Sequence, residues 1–330
     1  MTEKRVMEII RARPFQEWTG KDPMTIPCRE TSDAARLCKN PVVSVNMLAY
    51  NHEPFIRQAI EGVMMQKTDF EFELVIGEDC STDKTREICF EYQKKYPDKI
   101  RVLWSDENLY RKPGMVGGNS LRVRARCRGE FVAYCEGDDY WTDPQKLQLQ
   151  VDVMRRHPEV SFCCHKFRST RDGVFWTINQ DRFAAFMSRS AEKDGFLFTR
   201  EEFFEHGTFA QTATVMYRKS LFDEEYFKGA KSCRDLVMMY ASLRKGLGFC
   251  IDRAMSVYRM TDSGVWAGLS ARRRAEADAA TFRTLYEADP CTLTRKMYQA
   301  SQLRLLWQCF PFSFFAKVCR RLRRIARCLD

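Results

Sequence analysis

Between residues 41 and 167, stretches typical of β-strands alternate with stretches typical of α-helices. The strand-like runs span residues 42–48, 72–76, 100–104 and 131–135. The helix-like runs lie between them, at residues 55–64, 84–96 and 120–127. Parallel strands need crossover connections, which helices usually supply. The alternation therefore predicts an α/β fold with a mostly parallel central sheet.

Polar residues follow several of these strands directly. They are Tyr50 and Asn51 after the first strand, Glu78 and Asp79 after the second, and the run Glu136-Gly137-Asp138-Asp139 after the fourth, with Arg234 and Asp235 much later. Ligands of such sheets bind outside the carboxyl ends of the strands. We therefore look for binding residues here. Asp79 is suited to hydrogen-bonding a base or a ribose, and equally to capping a turn or helix.

Three carboxylates stand within four residues at Glu136, Asp138 and Asp139. Like charges this close raise one another's pKa values unless a positive charge lies between them. Mg²⁺ and Mn²⁺ accept one or two carboxylates together with substrate phosphates. A solvated acidic turn is the alternative. The position directly after an apolar strand favours a divalent cation, with Asp138 and Asp139 as metal-binding residues.

The 330 residues allow one large α/β domain with additions or two smaller domains. Apolar residues make up 45% and charged residues 30%, which excludes a wholly disordered or collagen-like chain. The net charge of +10 calls for acidic partners to be considered. Much of it lies in residues 317–330, which hold six basic residues and one acidic residue.

The C-terminal tail combines these charges with apolar residues at helical spacing, namely Phe312, Phe315, Cys319, Leu322, Ile325 and Leu329. This pattern predicts an amphipathic helix with a cationic face, which we expect to contact an anionic membrane surface. A helix docked on the body of the protein is the alternative. No apolar run reaches the roughly 18 residues that span a bilayer, so we expect no integral membrane segment.

The fourteen cysteines are scattered, without a Cys-x-x-Cys pair or an apolar signal segment after Met1. We expect reduced thiols and a cytoplasmic protein, with peripheral attachment to the inner face of the cell membrane through the tail. Cys163-Cys164-His165 resembles a metal cluster, but neighbouring residues on a strand point to opposite faces. We therefore expect these three side chains to pack in the core.

Three runs of the first half resemble the family 2 glycosyltransferases, of the kind that build bacterial surface polysaccharides. The runs are VVSVNMLAYNHEPFIRQAIEGVMMQ, FELVIGEDCSTDKT and CRGEFVAYCEGDDYWTDPQKLQLQV. The resemblance implies the GT-A fold, a nucleotide-diphospho-sugar transferase sandwich, here with a C-terminal helical extension. It also implies an inverting transfer that depends on a divalent cation.

The same resemblance implies roles for individual residues. Tyr50 and Asn51 would line the nucleotide pocket, and Asp79 would contact the uracil of a UDP-sugar. Asp138 would be the direct ligand of the cation at the diphosphate. Glu136 would face the ribose, although the family more often has Asp there.

The second half resembles the acceptor side of the family in TFAQTATVMYRKSLF and in the longer run that begins CRDLVMMY. By this resemblance Asp235 is the catalytic base. The family frequently shows Tyr-Arg-x-His later, whereas this chain has Thr261 at the last of those positions. Arg259 and the arginines of residues 120–127 are candidates for assisting the phosphates. For the arginines of residues 120–127, a solvated helix face is the alternative.

Together these features predict an N-terminal extension (1–40), a glycosyltransferase domain (41–268) and a C-terminal helical region (269–330). The domain would consist of a nucleotide-sugar half (41–167) and an acceptor half (168–268). The predicted function is transfer of a sugar from a nucleotide-sugar, in particular a UDP-sugar, to a glycan or lipid-linked acceptor in surface polysaccharide synthesis.

Three other functions share parts of this pattern. A nucleotidyltransferase would usually carry glycine and Arg or Lys in its first loop, and residues 49–53 have neither. A non-catalytic sugar-nucleotide binder would be expected to lose the metal acids, yet Asp138 and Asp139 remain. A nucleic-acid binder would show affinity that falls steeply with salt, and we expect no specific nucleic-acid partner.

Overall fold

The computed structural model describes residues 28–111, 117–177, 180–205, 209–229, 235–261 and 268–309. The chain forms two compact units, whose described residues lie within 28–260 and 261–309. The first 27 residues of the predicted N-terminal extension and the basic amphipathic tail lie outside the described residues.

The first unit is built on one sheet, in which the described residues form eleven strands. In chain order they are β1 (Arg29–Thr31), β2 (Val43–Ala49), β3 (Phe72–Glu78), β4 (Ile100–Trp104), β5 (Phe131–Tyr134), β6 (Tyr140–Trp141), β7 (Val160–Arg171), β8 (Val174–Thr177), β9 (Gly195–Phe198), β10 (Met216–Arg218) and β11 (Leu247–Arg259). The order in the sheet is β1-β4-β3-β2-β5-β10-β7-β11-β6, with β8 on β7 and β9 on β11.

The four central strands β4, β3, β2 and β5 are parallel, and so are β7 and β11. The other pairings are antiparallel. They include β1 with β4 and β6 with β11, at the two ends of the strand order. The predicted α/β fold with a mostly parallel central sheet is confirmed.

Helices connect and cover these strands. Those of the first unit are α1 (Ile56–Met64), α2 (Thr85–Lys95), α3 (Gly118–Arg126), α4 (Lys146–Arg156), α5 (Gln180–Met187), α6 (Arg200–Glu205), α7 (Glu224–Gly229) and α8 (Asp235–Leu243). In α1 the buried residues Ile56, Ala59, Ile60 and Val63 recur at the helical spacing of three and four. They pack in the main core with alternate residues of β2, such as Val45 and Met47.

The arginines of α3 correct one expectation. Arg122 is completely buried, and it donates to the Glu78 carbonyl (2.7 Å) and to Asn119 Oδ1 (2.9 Å). Arg124 forms an ion pair with Glu224. The expected solvated face is therefore wrong for Arg122, which satisfies a backbone carbonyl at the end of β3.

Cys163, Cys164 and His165 lie on β7 and have no exposed surface. The prediction that they pack in the core is confirmed. One polar atom of the buried His165 ring, Nδ1, forms a hydrogen bond with the Lys166 carbonyl (2.7 Å).

The second unit contains α9 (Ala271–Ala288) and α10 (Thr292–Cys309). Ser270 caps α9 by accepting the Arg273 N–H, and Tyr286 stacks on Tyr298 across the two helices. These helices confirm the predicted C-terminal helical extension. Within the described residues, no helix combines the length and the apolar character that crossing a bilayer requires.

Candidate functional site

Three neighbouring strand ends bring the predicted polar clusters together. The Asp79 N–H, after β3, donates to the Ala49 carbonyl (3.0 Å), and the Gly137 N–H, after β5, donates to the Leu48 carbonyl (2.9 Å). Both loops therefore flank the carboxyl end of β2. Since adjacent strands lie about 4.8 Å apart, the two loops are separated by about 10 Å.

Asn51 ties the loop after β2 to the loop after β3. It adopts the left-handed conformation, with φ of 53°, which asparagine tolerates better than most residues. Its Oδ1 accepts the Thr82 N–H (2.8 Å), and its own N–H donates to Ser81 Oγ (3.1 Å). The structure therefore gives Asn51 a role in shaping this rim.

Asp79 lies almost completely buried at the same rim. Its two oxygens accept the backbone N–H groups of Leu109 (2.9 Å) and Tyr110 (3.1 Å). Burial raises the pKa of Asp79, and these two hydrogen bonds oppose the rise. Tyr110 itself is 47% exposed, and the Arg111 guanidinium lies 5.7 Å from the ring of Tyr50. These rings offer flat surface next to a buried carboxylate.

The acidic turn after β5 contains two aspartates in different environments. Asp138 keeps 23% of its side chain exposed. Asp139 is 1% exposed, and it accepts hydrogen bonds from Gln211 Nε2 (2.6 Å) and from the Arg259 N–H (2.9 Å). The backbone of the turn is thus anchored through Asp139, while Asp138 faces solvent.

Glu136 connects this turn with the predicted base. Burial raises the pKa of Glu136 well above its ordinary value, and the nearby charges of Asp138, Asp139 and Asp235 raise it further. Asp235 is the exposed first residue of α8, almost one hundred positions later in the chain. Three other carboxyl groups therefore lie within electrostatic range of Glu136.

His52 is a site residue that the sequence interpretation missed. Its Nε2 lies 3.9 Å from Asp138 Oδ2, while its buried Nδ1 has no hydrogen-bond partner among the residues that the structure describes. A Cβ atom on Gly137 would lie 2.6 Å from that Nδ1, so the ring packs directly on the acidic turn. Burial lowers the pKa of His52, against the opposing charges of Asp138 and Asp83. The position of His52 directly after the predicted pocket residues Tyr50 and Asn51 is the sequence feature that points to it.

Arg259 ends β11 beside the same turn. Its Nη1 donates to the Asp138 carbonyl (2.7 Å), and its Nη2 bonds the side chain of Gln58 on α1. The guanidinium lies 4.3 Å from the ring centroid of Tyr140. Arg259 therefore positions the acidic turn, a role not considered from the sequence.

The described residues include no cluster of three or more His, Cys, Asp or Glu side chains arranged as a metal site. A cation at a substrate diphosphate does not need one, because phosphate oxygens supply most of its ligands. Asp138 and the Nε2 of His52 give an oxygen and a nitrogen donor side by side at the rim, in a region crowded with negative charge. These residues fit a divalent cation.

Comparison with known proteins identifies the family to which the chain belongs. Residues 44–225, more than half of the chain, match the family described as Glycosyl transferase family 2. The chain is 32% identical over 236 residues to the uncharacterized protein Mb1547 of Mycobacterium bovis, covering 70% of this chain and 62% of that protein. It thus spans less than two thirds of that relative's length.

Two further proteins are similar. The putative teichuronic acid biosynthesis glycosyltransferase TuaG of Bacillus subtilis is 26% identical over 227 residues, covering 68% of this chain and 81% of TuaG. The crystal structure of S. aureus TarS 1–349 in complex with UDP-GlcNAc superposes with a TM-score of 0.57 at 20% identity, covering 79% of this chain and 72% of that one. This likeness shows a shared fold and confirms the predicted GT-A sandwich.

Proposed function

We propose that this chain, which belongs to glycosyl transferase family 2, transfers a sugar from a UDP-sugar to a hydroxyl group of a glycan or lipid-linked acceptor. The observation that carries the proposal is the carboxylate cluster of Glu136, Asp138, Asp139 and Asp235 beside the rim that holds Asp79. TuaG, named for teichuronic acid biosynthesis, supports a surface polysaccharide as the product.

The donor nucleotide would bind at the ends of β2 and β3. Each oxygen of the Asp79 carboxylate accepts one backbone N–H and keeps a lone pair for an N–H of the uracil. The rings of Tyr50 and Tyr110 offer stacking surface for the base. Asn51 would shape this pocket, and Glu136 would face the ribose. TarS, a protein with the same fold, binds UDP-GlcNAc, which supports this placement.

We assign the divalent cation, Mg²⁺ or Mn²⁺, to Asp138 with His52 beside it. Both oxygens of Asp139 already accept hydrogen bonds, and its side chain is 1% exposed, so we assign Asp139 to orienting Asp138 rather than to direct metal binding. When bound, the cation supplies Lewis-acid stabilisation of the charge that develops on the departing diphosphate.

Asp235 would act as general base. Its carboxylate lies at the exposed start of α8, within electrostatic range of Glu136. It would accept the proton of the acceptor hydroxyl as that oxygen attacks the anomeric carbon and the bond to the diphosphate breaks. One displacement inverts the anomeric configuration, and the described chain needs no covalent intermediate for it.

The experiment is a panel of UDP-sugars with Mn²⁺ or Mg²⁺, read by thermal shift for binding and by UDP release for turnover. We expect Asp138→Asn to lose the metal-dependent part of UDP binding. We expect Asp235→Asn to bind UDP normally and to lose turnover by about a thousandfold. Asp69→Asn, at a side chain that is 69% exposed, is the matched control.

Full turnover by Asp235→Asn would show that another group is the general base, and the proposed transfer from a UDP-sugar would still stand. Absence of any UDP-sugar binding by the wild-type chain, with or without metal, would overturn the proposed donor.

A further inference from the structure

The hairpin formed by β7 and β8 ends in a two-residue turn. Asp172 and Gly173 have φ values of 52° and 80°, as the type I′ turn requires at both central positions. The register places Arg171 opposite Val174, and Thr170 opposite Phe175. No described residue beyond its chain neighbours lies within 4 Å of a Cβ atom added to Gly173, so the turn projects away from the described part of the chain.

Three consecutive apolar residues after the turn are exposed: Val174 by 65%, Phe175 by 54% and Trp176 by 37%. Neighbouring residues on a strand point to opposite faces, so Val174 and Trp176 occupy one face and Phe175 the other. Apolar surface therefore lies on both faces of β8, which pairs with the end of β7. One flat partner surface would cover only one of them.

The charges beside the tip are mainly positive. Arg168 and Arg171 are exposed on the β7 side of the hairpin, and Asp172 is the acidic residue of the turn. Trp side chains prefer the interface between water and hydrocarbon, Phe adds apolar surface that inserts there, and Arg is attracted to anionic headgroups. A lipid interface surrounds an inserted tip on all sides, which matches apolar residues on both faces.

We propose that residues 168–176 insert into the interface of an anionic bilayer. This inference depends neither on the assigned catalytic residues nor on the C-terminal tail. The base of the hairpin adjoins the candidate site, because Thr170 lies opposite Arg259 in the β7–β11 register and accepts the Met260 N–H (2.9 Å). Arg259 in turn binds the Asp138 carbonyl. Insertion would bring the acidic turn close to the membrane surface.

The test is flotation of the full chain with vesicles of phosphatidylcholine, with or without phosphatidylglycerol. We expect the double variant Phe175→Ser/Trp176→Ser to reduce partitioning onto the anionic vesicles by about tenfold or more. Arg168→Gln should weaken binding only when phosphatidylglycerol is present. Tyr110→Ser, which removes another exposed aromatic ring from the same unit, should float as the wild type does.

High salt separates the tip from the basic tail. Attraction of the tail to anionic lipid is screened by salt, whereas apolar insertion persists. Wild-type and double-variant chains that float equally at high salt would overturn the proposal. A second result would also overturn it: light scattering shows a dimer for the wild type but not for the double variant, while both chains float equally. The tip would then bind a second copy of the chain. Unchanged thermal melting shows that the exposed substitutions leave the fold intact.

Discussion

Gln211 Nε2 donates to Asp139 Oδ2 at 2.6 Å, joining two residues that are 72 positions apart. The orientation of the amide is determined by its other end, where Gln211 Oε1 accepts the Ala213 N–H (2.8 Å). The second Asp139 oxygen accepts the Arg259 N–H. This buried carboxyl group is therefore satisfied by two hydrogen-bond donors, the Gln211 side chain and the Arg259 backbone.

Replacing Gln211 with Glu should damage this anchor strongly. The variant keeps the acceptor for Ala213 but removes the donor to Asp139 and adds a second carboxylate. We expect the free energy of unfolding to fall by about 3 kcal/mol, measured by urea denaturation, because the buried Asp139 carboxyl group loses a hydrogen-bond donor and gains a carboxyl neighbour. UDP release should fall with it.

Gln145→Glu makes the same chemical change at an exposed glutamine whose oxygen accepts from Arg253. We expect its stability to stay within about 0.5 kcal/mol of the wild type. Equal stability of the two variants would show that the Gln211 contact contributes nothing.

Gly137→Ala should close the space between the acidic turn and its neighbours. The added Cβ would lie 2.6 Å from His52 Nδ1 and 2.9 Å from the Leu48 carbonyl oxygen, which belongs to a buried strand and cannot easily move. We expect a loss of about 2 kcal/mol or more in unfolding free energy, together with weaker Mn²⁺ binding in the presence of UDP, measured by electron paramagnetic resonance.

Gly173→Ala is the informative comparison, because its Cβ meets no neighbour while its φ of 80° disfavours an L side chain. That variant should lose about 1 kcal/mol through backbone strain alone and bind Mn²⁺ normally. Normal metal binding in Gly137→Ala would contradict the packing of His52 on the turn.

His52→Phe tests the imidazole next to Asp138. A flat aromatic ring remains while both nitrogen atoms are removed, including the buried Nδ1 for which the described residues provide no hydrogen-bond partner. We expect thermal stability to be nearly unchanged and Mn²⁺ affinity, titrated by calorimetry with UDP present, to fall about tenfold.

His157→Phe provides the matched histidine control, since His157 contacts Glu159 and Glu192 instead of the acidic turn. Its Mn²⁺ affinity should equal that of the wild type. An unaltered affinity in His52→Phe would leave Asp138 as the cation ligand and exclude His52.

Lys146 is completely buried, with Nζ 2.6 Å from Gln150 Oε1 and 3.9 Å from the centroid of the Trp141 ring. Burial lowers the pKa of Lys146 to about 7. Between that value and its ordinary pKa of 10.5, the unfolded chain binds more protons than the folded one. This group therefore makes the wild type more stable as pH rises through that window.

Lys146→Met removes the titrating group. We compare the free energy of unfolding of the variant with that of the wild type by urea denaturation. Relative to the wild type, the variant should be most stable near pH 7, and the difference should shift by about 2 kcal/mol in favour of the wild type by pH 9. Lys94→Met, at an exposed lysine, should show no such pH-dependent difference from the wild type. A constant difference between Lys146→Met and wild type across this range would contradict a depressed pKa.

The regular elements were largely predictable because their signals are local. The strand expected at residues 100–104 is β4 (Ile100–Trp104), and the run expected at 72–76 is β3, which continues to Glu78. Apolar periodicity and parallel-sheet topology placed Asp79 and the acidic turn at one edge. The resemblance to a known family added the expectation for Asp235.

Contacts between distant residues were not predictable in this way. The burial of Arg122, the anchoring of Asp139 by Gln211 and the approach of His52 to Asp138 depend on how separate elements pack. Periodicity reports which face of an element is apolar, a property of neighbouring residues in the chain. Local patterns in the chain thus specify the strands, the helices and the acids at the strand ends. Which donors satisfy each buried polar group depends on tertiary packing, because those donors come from distant parts of the chain that meet in the folded protein.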